Sequence, residues 1–338
     1  MLQSAHNEKQ HRAILQSIAH RVMLERGLLP DFSAAALAEL NRFQSPAMKN
    51  GSPAGTKSQI RDMRDLLWAS VDNDDSHDLD QLTVAEAMPA EKVKILVAIA
   101  DVDAVVKNDS AIDQHASHNT TSVYTAAEIF PMLPEEVSTG ITSLNLNEER
   151  LALVVEMVIG ADGSLQDSDI YYGWVRNHAK LAYNSLAAWL EGHGDIPEAV
   201  TMVKGLEENL RLQDKTTQRM KNLRHIHGAL TLETIEAKPV FDGDQIRALE
   251  IEEKNRAKEI IEDLMIAANG VTARYLSARK FPSIRRVVRT PKRWERIVQI
   301  ANEHGIMLPD KQIQKLWRSF SSRRKLLIRC ASPTYPWQ

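Results

Sequence analysis

Apolar residues in the first forty positions recur at the spacing of amphipathic helices. Ile14, Ile18 and Val22 lie on one side of a helical pattern within residues 8–42. Pro30 interrupts this pattern, and Ser33, before a run of alanine and leucine, is a plausible N-cap for a second helix. Residues 44–57 then hold two prolines and two glycines among small polar residues. The pattern predicts a small helical N-terminal region at 1–43, followed by a linker at 44–57.

Beyond residue 58 the pattern changes to the short apolar runs that are typical of strands. Five such runs lie at 67–72, 82–87, 93–102, 151–159 and 169–175. The last two are joined by an Ala-Asp-Gly turn at 161–163, which predicts a hairpin. The spacing then favours helices over 177–226, a second hairpin over 229–251, and a long helix over 253–280.

Composition and charge narrow the possible classes of protein. The 338 residues are 43% hydrophobic and 26% charged, as in a globular protein, and a net charge of −3 gives no overall attraction to nucleic acid. The single cysteine, Cys330, excludes an internal disulfide and favours a reducing compartment. The first thirty residues lack a long apolar run, so neither a signal peptide nor a membrane anchor is expected. These features predict a cytoplasmic protein, and none calls for an obligate protein partner.

The densest charge in the chain is a run of five aspartates within nine positions: Asp72, Asp74, Asp75, Asp78 and Asp80. Like charges at this density repel one another, so a folded protein exposes such a cluster or supplies a cation. The flanking stretches, 66–68 and 82–84, are mostly apolar and are expected to be buried. Pairs of Mg²⁺ ions in enzymes of phosphate chemistry need several carboxylates of this kind. The loop is therefore a candidate magnesium site.

An acidic run of this kind can also arise in three structures that hold no catalytic metal. A solvated surface loop is the usual fate of a charge run, but this one adjoins core segments. An EF-hand calcium loop requires glycine at its sixth position and glutamate at its twelfth, which are His77 and Thr83 when counted from Asp72. A helix N-cap would account for one aspartate but not five. Magnesium-dependent phosphoryl chemistry accounts for the whole cluster.

With these residues in view, the chain resembles the ribonuclease II family, the RNB-domain 3′→5′ exoribonucleases. Four segments follow the family consensus in order, at 97–113, 121–138, 143–157 and 255–276. The resemblance covers the chain from about Arg61 to Leu308, and four collinear segments are far more specific than one motif. It implies an α+β fold in which a partial RNB-type catalytic domain, a mixed sheet surrounded by helices, occupies residues 58–311.

The resemblance also implies a reaction and a cofactor. Members of the family are phosphodiester hydrolases that degrade single-stranded RNA from its 3′ end to nucleoside 5′-monophosphates, with Mg²⁺ as cofactor. Three of the four aspartates that line the magnesium site of the family correspond to Asp72, Asp78 and Asp80. Gln81 stands where the family usually has the fourth, and glutamine can coordinate a metal through its carbonyl oxygen but brings no charge.

Further residues correspond to positions that hold the terminal nucleotides in the family. Stacking on aromatic rings suits a sequence-tolerant enzyme, since every base offers a π-face. By resemblance, Tyr124 packs near the 3′ end, Tyr183 helps to distinguish ribose from deoxyribose, and Glu262 is its acidic partner. Without the resemblance, both tyrosines would be assigned to the core. Many members also carry cold-shock domains ahead of the RNB domain, and the helical pattern of residues 1–43 differs from them.

The resemblance stops after Lys311. Residues 312–338 are rich in arginine and serine, where the family would continue with a motif close to RFPDLSL. A one-base shift of the reading frame near codon 312 would produce that motif from permitted codons, and the DNA sequence would decide the matter. With this tail, the chain is expected to lack the second half of the RNB domain, including its catalytic arginine, and the S1-type RNA-binding domain. The alternative to an active enzyme is then an inactive remnant that at most binds RNA.

Overall fold

The computed structural model describes residues 2–43, 60–227, 229, 237–242, 245–251, 254–284, 293–303, 305 and 307. The predicted linker at 44–57 and the predicted out-of-frame tail at 312–338 lie outside the described residues, and the proposed domain limits stay predictions. No helix within the described ranges is long and apolar enough to cross a membrane.

Within these ranges the chain forms helices and strands in separate stretches. The helices are α1 (Leu2–Glu25), α2 (Ala34–Phe43), α3 (Ala111–Asn119), α4 (Tyr183–Leu190), α5 (Glu198–Thr201), α6 (Leu206–Ile226), α7 (Arg256–Ala278) and α8 (Trp294–Glu303), with a π-helical turn at Glu136–Ile141. The strands are β1 (Arg61–Asp62), β2 (Ala69–Asp72), β3 (Gln81–Ala87), β4 (Val93–Ala100), β5 (Val123–Tyr124), β6 (Ile129–Phe130), β7 (Glu149–Ile159), β8 (Leu165–Arg176), β9 (Ala179–Ala182), β10 (Ala237–Asp242) and β11 (Gln245–Ile251).

Seven of the strands form one mixed sheet in the order β1-β8-β7-β4-β3-β2-β9. Its interior is antiparallel, while the edge strands β1 and β9 pair in parallel with β8 and β2. The sheet and its helices confirm the predicted α+β fold, and each of the five predicted strands occurs. Helices α4, α5 and α6 lie in the range 177–226 that was predicted as helical, but the prediction was wrong for its first residues, because β9 precedes α4. Ala179 and Leu181 are buried at every second position of β9, a pattern of four residues that is too short to stand out in the sequence.

Helices cover one face of this sheet. Ile260, Leu264 and Val271 of α7 pack on buried residues of β3, β4 and β7, and Met220 of α6 joins the same cluster. The opposite face is closed by Trp68 and Leu144, which are almost fully buried against β3, β4, β7 and β8. The first turns of α7 instead reach the cluster formed by β2, β9, α4 and α6. Helix α7 therefore crosses the sheet and begins beside its β2–β9 edge.

Ion pairs connect α6 with α7. In the same order along both helices, the pairs are Asp214 with Arg256, Lys221 with Glu259 and Arg224 with Asp263. This order means that the two helices run in the same direction. Side chains on α7 are thus held from α6 by charge as well as from the sheet by apolar contact.

The N-terminal helices pack against α3. Ser33 caps α2 as predicted, since its hydroxyl accepts a hydrogen bond from the Ala36 backbone N–H at 3.2 Å. Ala36 on α2 is fully buried in a cluster with Ile112 of α3. Asn119 at the end of α3 is 2% exposed, and its amide bonds both the N–H and the carbonyl of Leu29 at 2.9 Å. The connection between α1 and α2 is therefore fixed to the rest of the fold.

Candidate active site

The acidic loop connects two neighbouring strands of the main sheet. Asp72 is the last residue of β2 and Gln81 is the first of β3, so residues 73–80 form the loop between them. Leu79 is 3% exposed, whereas Asp78 and Asp80 on either side of it are exposed. Burial of this leucine anchors the loop in the core and leaves the two adjacent carboxylates facing solvent.

Hydrogen bonds from distant segments hold the backbone of the loop. The hydroxyl of Ser143 accepts a hydrogen bond from the Leu79 N–H at 3.0 Å, and the Leu144 N–H donates to the Leu79 carbonyl at 2.8 Å. From β9, Lys180 Nζ donates to the Ser76 carbonyl at 2.5 Å. Sequence reasoning did not single out these partners. The one signal was that the consensus segment 143–157 begins at Ser143.

The carboxyl of Asp80 lies close to other negatively charged side chains. Loss of surrounding water is the main cause that raises the pKa of its carboxyl to about 6, although solvent still reaches the side chain. The negative charges of Asp72 and Asp78 also raise this pKa. Asp72 and Asp78 therefore lie close enough to Asp80 for their charges to act on its carboxyl.

The side chains of this set carry oxygen donors, which are the type of ligand that Mg²⁺ takes. This ion prefers oxygen ligands, keeps several waters, and takes one or two protein carboxylates together with substrate phosphates. Within the part of the chain that the structure describes, no three His, Cys, Asp or Glu side chains form a group able to hold a metal ion. Asp72, Asp78 and Asp80 thus do not form a closed cage. A divalent cation would relieve their repulsion.

Gln81 occupies the fourth position of the predicted set but lies inside the sheet. Its side chain is buried, and Nε2 donates a hydrogen bond to the carbonyl of Val71 at 3.3 Å. This bond turns the amide nitrogen toward β2 and leaves the side-chain carbonyl oxygen as the only group that could ligate a metal. The side chain at this position is therefore uncharged, and its amide nitrogen is already hydrogen-bonded within the sheet.

Tyr183 and Glu262 lie near the strand end that carries Asp72. Strands β2 and β9 are parallel and end at the same level, so Tyr183, the first residue of α4, directly follows this edge. The Nζ of Lys258 on α7 lies 5.9 Å from the centroid of the Tyr183 ring. Glu262 follows one turn later on α7 and pairs with Lys254 Nζ at 3.2 Å. The structure thus places Tyr183 at this edge of the sheet, and Glu262 on the helix whose Lys258 approaches the Tyr183 ring.

Tyr124 lies in the short β5–β6 hairpin, which is not hydrogen-bonded to the main sheet. Its side chain is 70% exposed, and the residue opposite it in the hairpin, Ile129, is 55% exposed. The prediction for an isolated tyrosine, a place in the core, does not hold here. An exposed ring beside an exposed aliphatic side chain offers a surface on which a base can stack.

The chain is similar in sequence to known proteins. A family model described as the RNB domain matches residues 60–333. Ribonuclease R of Vibrio parahaemolyticus is 34% identical over 231 residues, which are 68% of this chain and 27% of that protein. Exoribonuclease 2 of Escherichia coli O157:H7 is 32% identical over 220 residues, which are 64% of this chain and 33% of that protein. The chain therefore spans about a third or less of the length of these two relatives.

A solved structure shares the fold. The structure of Mycoplasma genitalium RNase R in complex with ribose methylated single-stranded RNA matches with a TM-score of 0.74 at 23% identity. The match covers 86% of this chain and 44% of that one. At this identity the likeness concerns the arrangement of the sheet and its helices.

Proposed function

The chain belongs to the RNB domain family, and from that premise we propose that it is a Mg²⁺-dependent exoribonuclease of the cytoplasm. It would hydrolyse single-stranded RNA from the 3′ end and release nucleoside 5′-monophosphates. The observation that supports this best is the placement of Asp72, Asp78 and Asp80 together where the paired core strands β2 and β3 connect. The relatives named ribonuclease R and exoribonuclease 2 support the class of reaction.

Each named residue has a part in this proposal. Asp72, Asp78 and Asp80 would hold Mg²⁺, which when bound supplies an activated water and neutralises charge on the scissile phosphate. The exposed ring of Tyr124 would stack on a base near the 3′ end, an interaction worth about 1–3 kcal/mol. Tyr183 would contact the ribose at its 2′-OH, and the exposed carboxylate of Glu262 would accept a hydrogen bond from a sugar hydroxyl.

A second candidate is a protein that binds RNA without cleaving it. The observation that favours it is Gln81, since the fourth position of the acidic set carries no charge and its amide is bonded to the carbonyl of Val71. One charge fewer weakens the attraction for a divalent cation. In that case Tyr124 and Tyr183 would still bind single-stranded RNA.

Digestion of a 5′-labelled single-stranded RNA in the presence of Mg²⁺ separates the two candidates. We expect progressive shortening from the 3′ end, release of nucleoside 5′-monophosphates, and no reaction after chelation of the metal. Asp80→Asn should lower the rate at least about 100-fold, since a metal supplies several kcal/mol of transition-state stabilisation and each 1.36 kcal/mol is tenfold. The matched control is Asp167→Asn, an exposed aspartate on β8 that should leave the rate unchanged.

Each outcome of this digestion has one meaning. RNA that is retained on a filter by the wild type but never shortened would favour the second candidate. Equal degradation by the wild type and by Asp80→Asn would point to a contaminating nuclease and would refute the assignment of the site. A DNA of the same sequence should be degraded more slowly than the RNA if Tyr183 reads the 2′-OH.

A further inference from the structure

A buried hydrogen-bond network connects the two backbone segments that carry the carboxylates. Asn177, between β8 and β9, is fully buried, and its Nδ2 donates to the hydroxyl of Ser70 at 3.0 Å and to the carbonyl of Leu144 at 2.9 Å. Ser70 lies in β2, two residues before Asp72. Leu144 in turn donates its N–H to the carbonyl of Leu79. One side chain therefore ties the strand that ends in Asp72 to the far end of the acidic loop.

Ser143 completes the connection. Its side chain is 1% exposed, and its hydroxyl accepts the N–H of Leu79 at 3.0 Å. The single hydroxyl proton has two acceptors, the carbonyl of His77 and Oδ1 of Asn145, both at 2.9 Å. Together with the bond from Leu144, both backbone groups of Leu79 are fixed. The backbone positions of Asp78 and Asp80, directly before and after this leucine, are thereby restricted as well.

We propose that Ser143 and Asn177 are positioning residues of the acidic site, which set the separation between Asp72 and the two aspartates beside Leu79. Neither side chain needs to touch metal or RNA for this role. Repulsion among the carboxylates favours their separation, and buried hydrogen bonds to the adjacent backbone oppose it. Groups that orient metal ligands typically change metal affinity by about 10–100-fold when they are removed. This inference rests on the proposed function, because it concerns Mg²⁺ at these aspartates.

Ser143→Ala tests the proposal against a neighbouring control. Thr142 is buried next to Ser143, and its hydroxyl donates to the carbonyl of Val137 at 2.8 Å, within its own turn. Thr142→Val therefore removes a buried hydroxyl of the same segment without touching the loop. Ser143→Thr keeps the hydroxyl and should restore the wild-type behaviour.

Two measurements read the effect, and one of them needs no catalysis. Thermal unfolding at increasing Mg²⁺ reports binding of the ion to the folded chain, because a ligand of the folded state raises the unfolding temperature. The Mg²⁺ concentration that gives half-maximal RNA hydrolysis is the second. In both, we expect Ser143→Ala to require about 10–100-fold more Mg²⁺ than wild type. Thr142→Val should keep the wild-type requirement.

The outcomes separate this inference from the proposed function. Equal Mg²⁺ requirements for Ser143→Ala and Thr142→Val would overturn the positioning role while leaving the exoribonuclease proposal intact. A wild-type chain that neither hydrolyses RNA nor gains stability from Mg²⁺ would overturn both. If Ser143→Ala does not fold, Ser70→Ala removes the contact of Asn177 with β2 and should shift the requirement in the same direction. No shift in Ser70→Ala would then count against the network.

Discussion

Replacing Asp263 by asparagine tests whether burial or nearby positive charge has the larger effect on the pKa of this carboxyl, which lies on the same helix as Glu262. Asp263 lies on α7, where its side chain is 4% exposed and pairs with Arg224 of α6. Burial is the largest effect and raises the pKa of this carboxyl to about 6, although the positive charges of Arg224 and Lys221 lower it. The negative charges of Glu262 and Glu259 add to the rise in this pKa.

The raised pKa of Asp263 determines whether the free energy of unfolding rises or falls with pH. The pKa of an aspartate in the unfolded chain is about 3.9, so between about pH 4 and pH 6 the folded protein holds this proton more tightly than the unfolded one. The free energy of unfolding therefore falls as the pH rises through this window. The gap of roughly two pH units corresponds to about 3 kcal/mol at 1.36 kcal/mol per unit. This contribution is complete below about pH 4 and lost above about pH 6.

Urea unfolding of the wild type and of Asp263→Asn, each at several pH values from 4 to 8, measures this effect. The difference in unfolding free energy between the two proteins removes the contributions of other titrating groups, Asp80 among them. We expect this difference, wild type minus variant, to decrease by about 3 kcal/mol toward high pH. A difference that increases with pH would show that the ion pair with Arg224 outweighs burial. A constant difference would refute any shift at this site.

Two further changes test the packing of the fold. Asn119→Ala leaves both backbone groups of Leu29 without their partner, so we expect a loss of about 1–3 kcal/mol and faster tryptic release of the N-terminal helices; unchanged proteolysis would mean that apolar contacts alone fix them. Gly163→Ala combines a left-handed backbone, φ +83°, with a Cβ placed 2.4 Å from the carbonyl oxygen of Arg219. It should cost about 1–3 kcal/mol more in urea unfolding than Gly192→Ala, which has φ +77° and open space. Equal losses would contradict the clash.

The sequence predicted those parts of the fold whose signal is local. β4 is a nearly continuous apolar run, and α7 holds its period over six turns, so both could be placed without knowledge of their neighbours. β9 was missed because two buried residues are too few to show a strand pattern, and the strand is recognisable only from its pairing with β2. Helix α3 and the β5–β6 hairpin were also missed, since short elements between turns have little periodicity of their own.

The candidate site divides in the same way. Asp72, Asp78 and Asp80 lie within nine positions of the sequence, so the cluster of negative charge could be recognised there. Lys180 and Asn177 could not be found, because their contacts with the loop and with β2 join residues 104 and 107 positions apart. These contacts form only when the strands pair, so no local pattern in the sequence predicts them. The roles of Tyr124, Tyr183 and Glu262 came from the resemblance and stay predictions.

The place of β9 at the edge of the sheet bears on how long the site persists in solution. Among the residues that the structure describes, β9 pairs with β2 alone, and residues opposite each other in this pair, Ala69 and Ala179, are far apart in the chain. Edge elements open locally at a lower free energy than the core of a domain. Opening of β9 would carry Tyr183 away from Asp72 while the antiparallel centre of the sheet stayed closed. Local opening at this one edge of the sheet is therefore a route by which Tyr183 and Asp72 can separate without global unfolding.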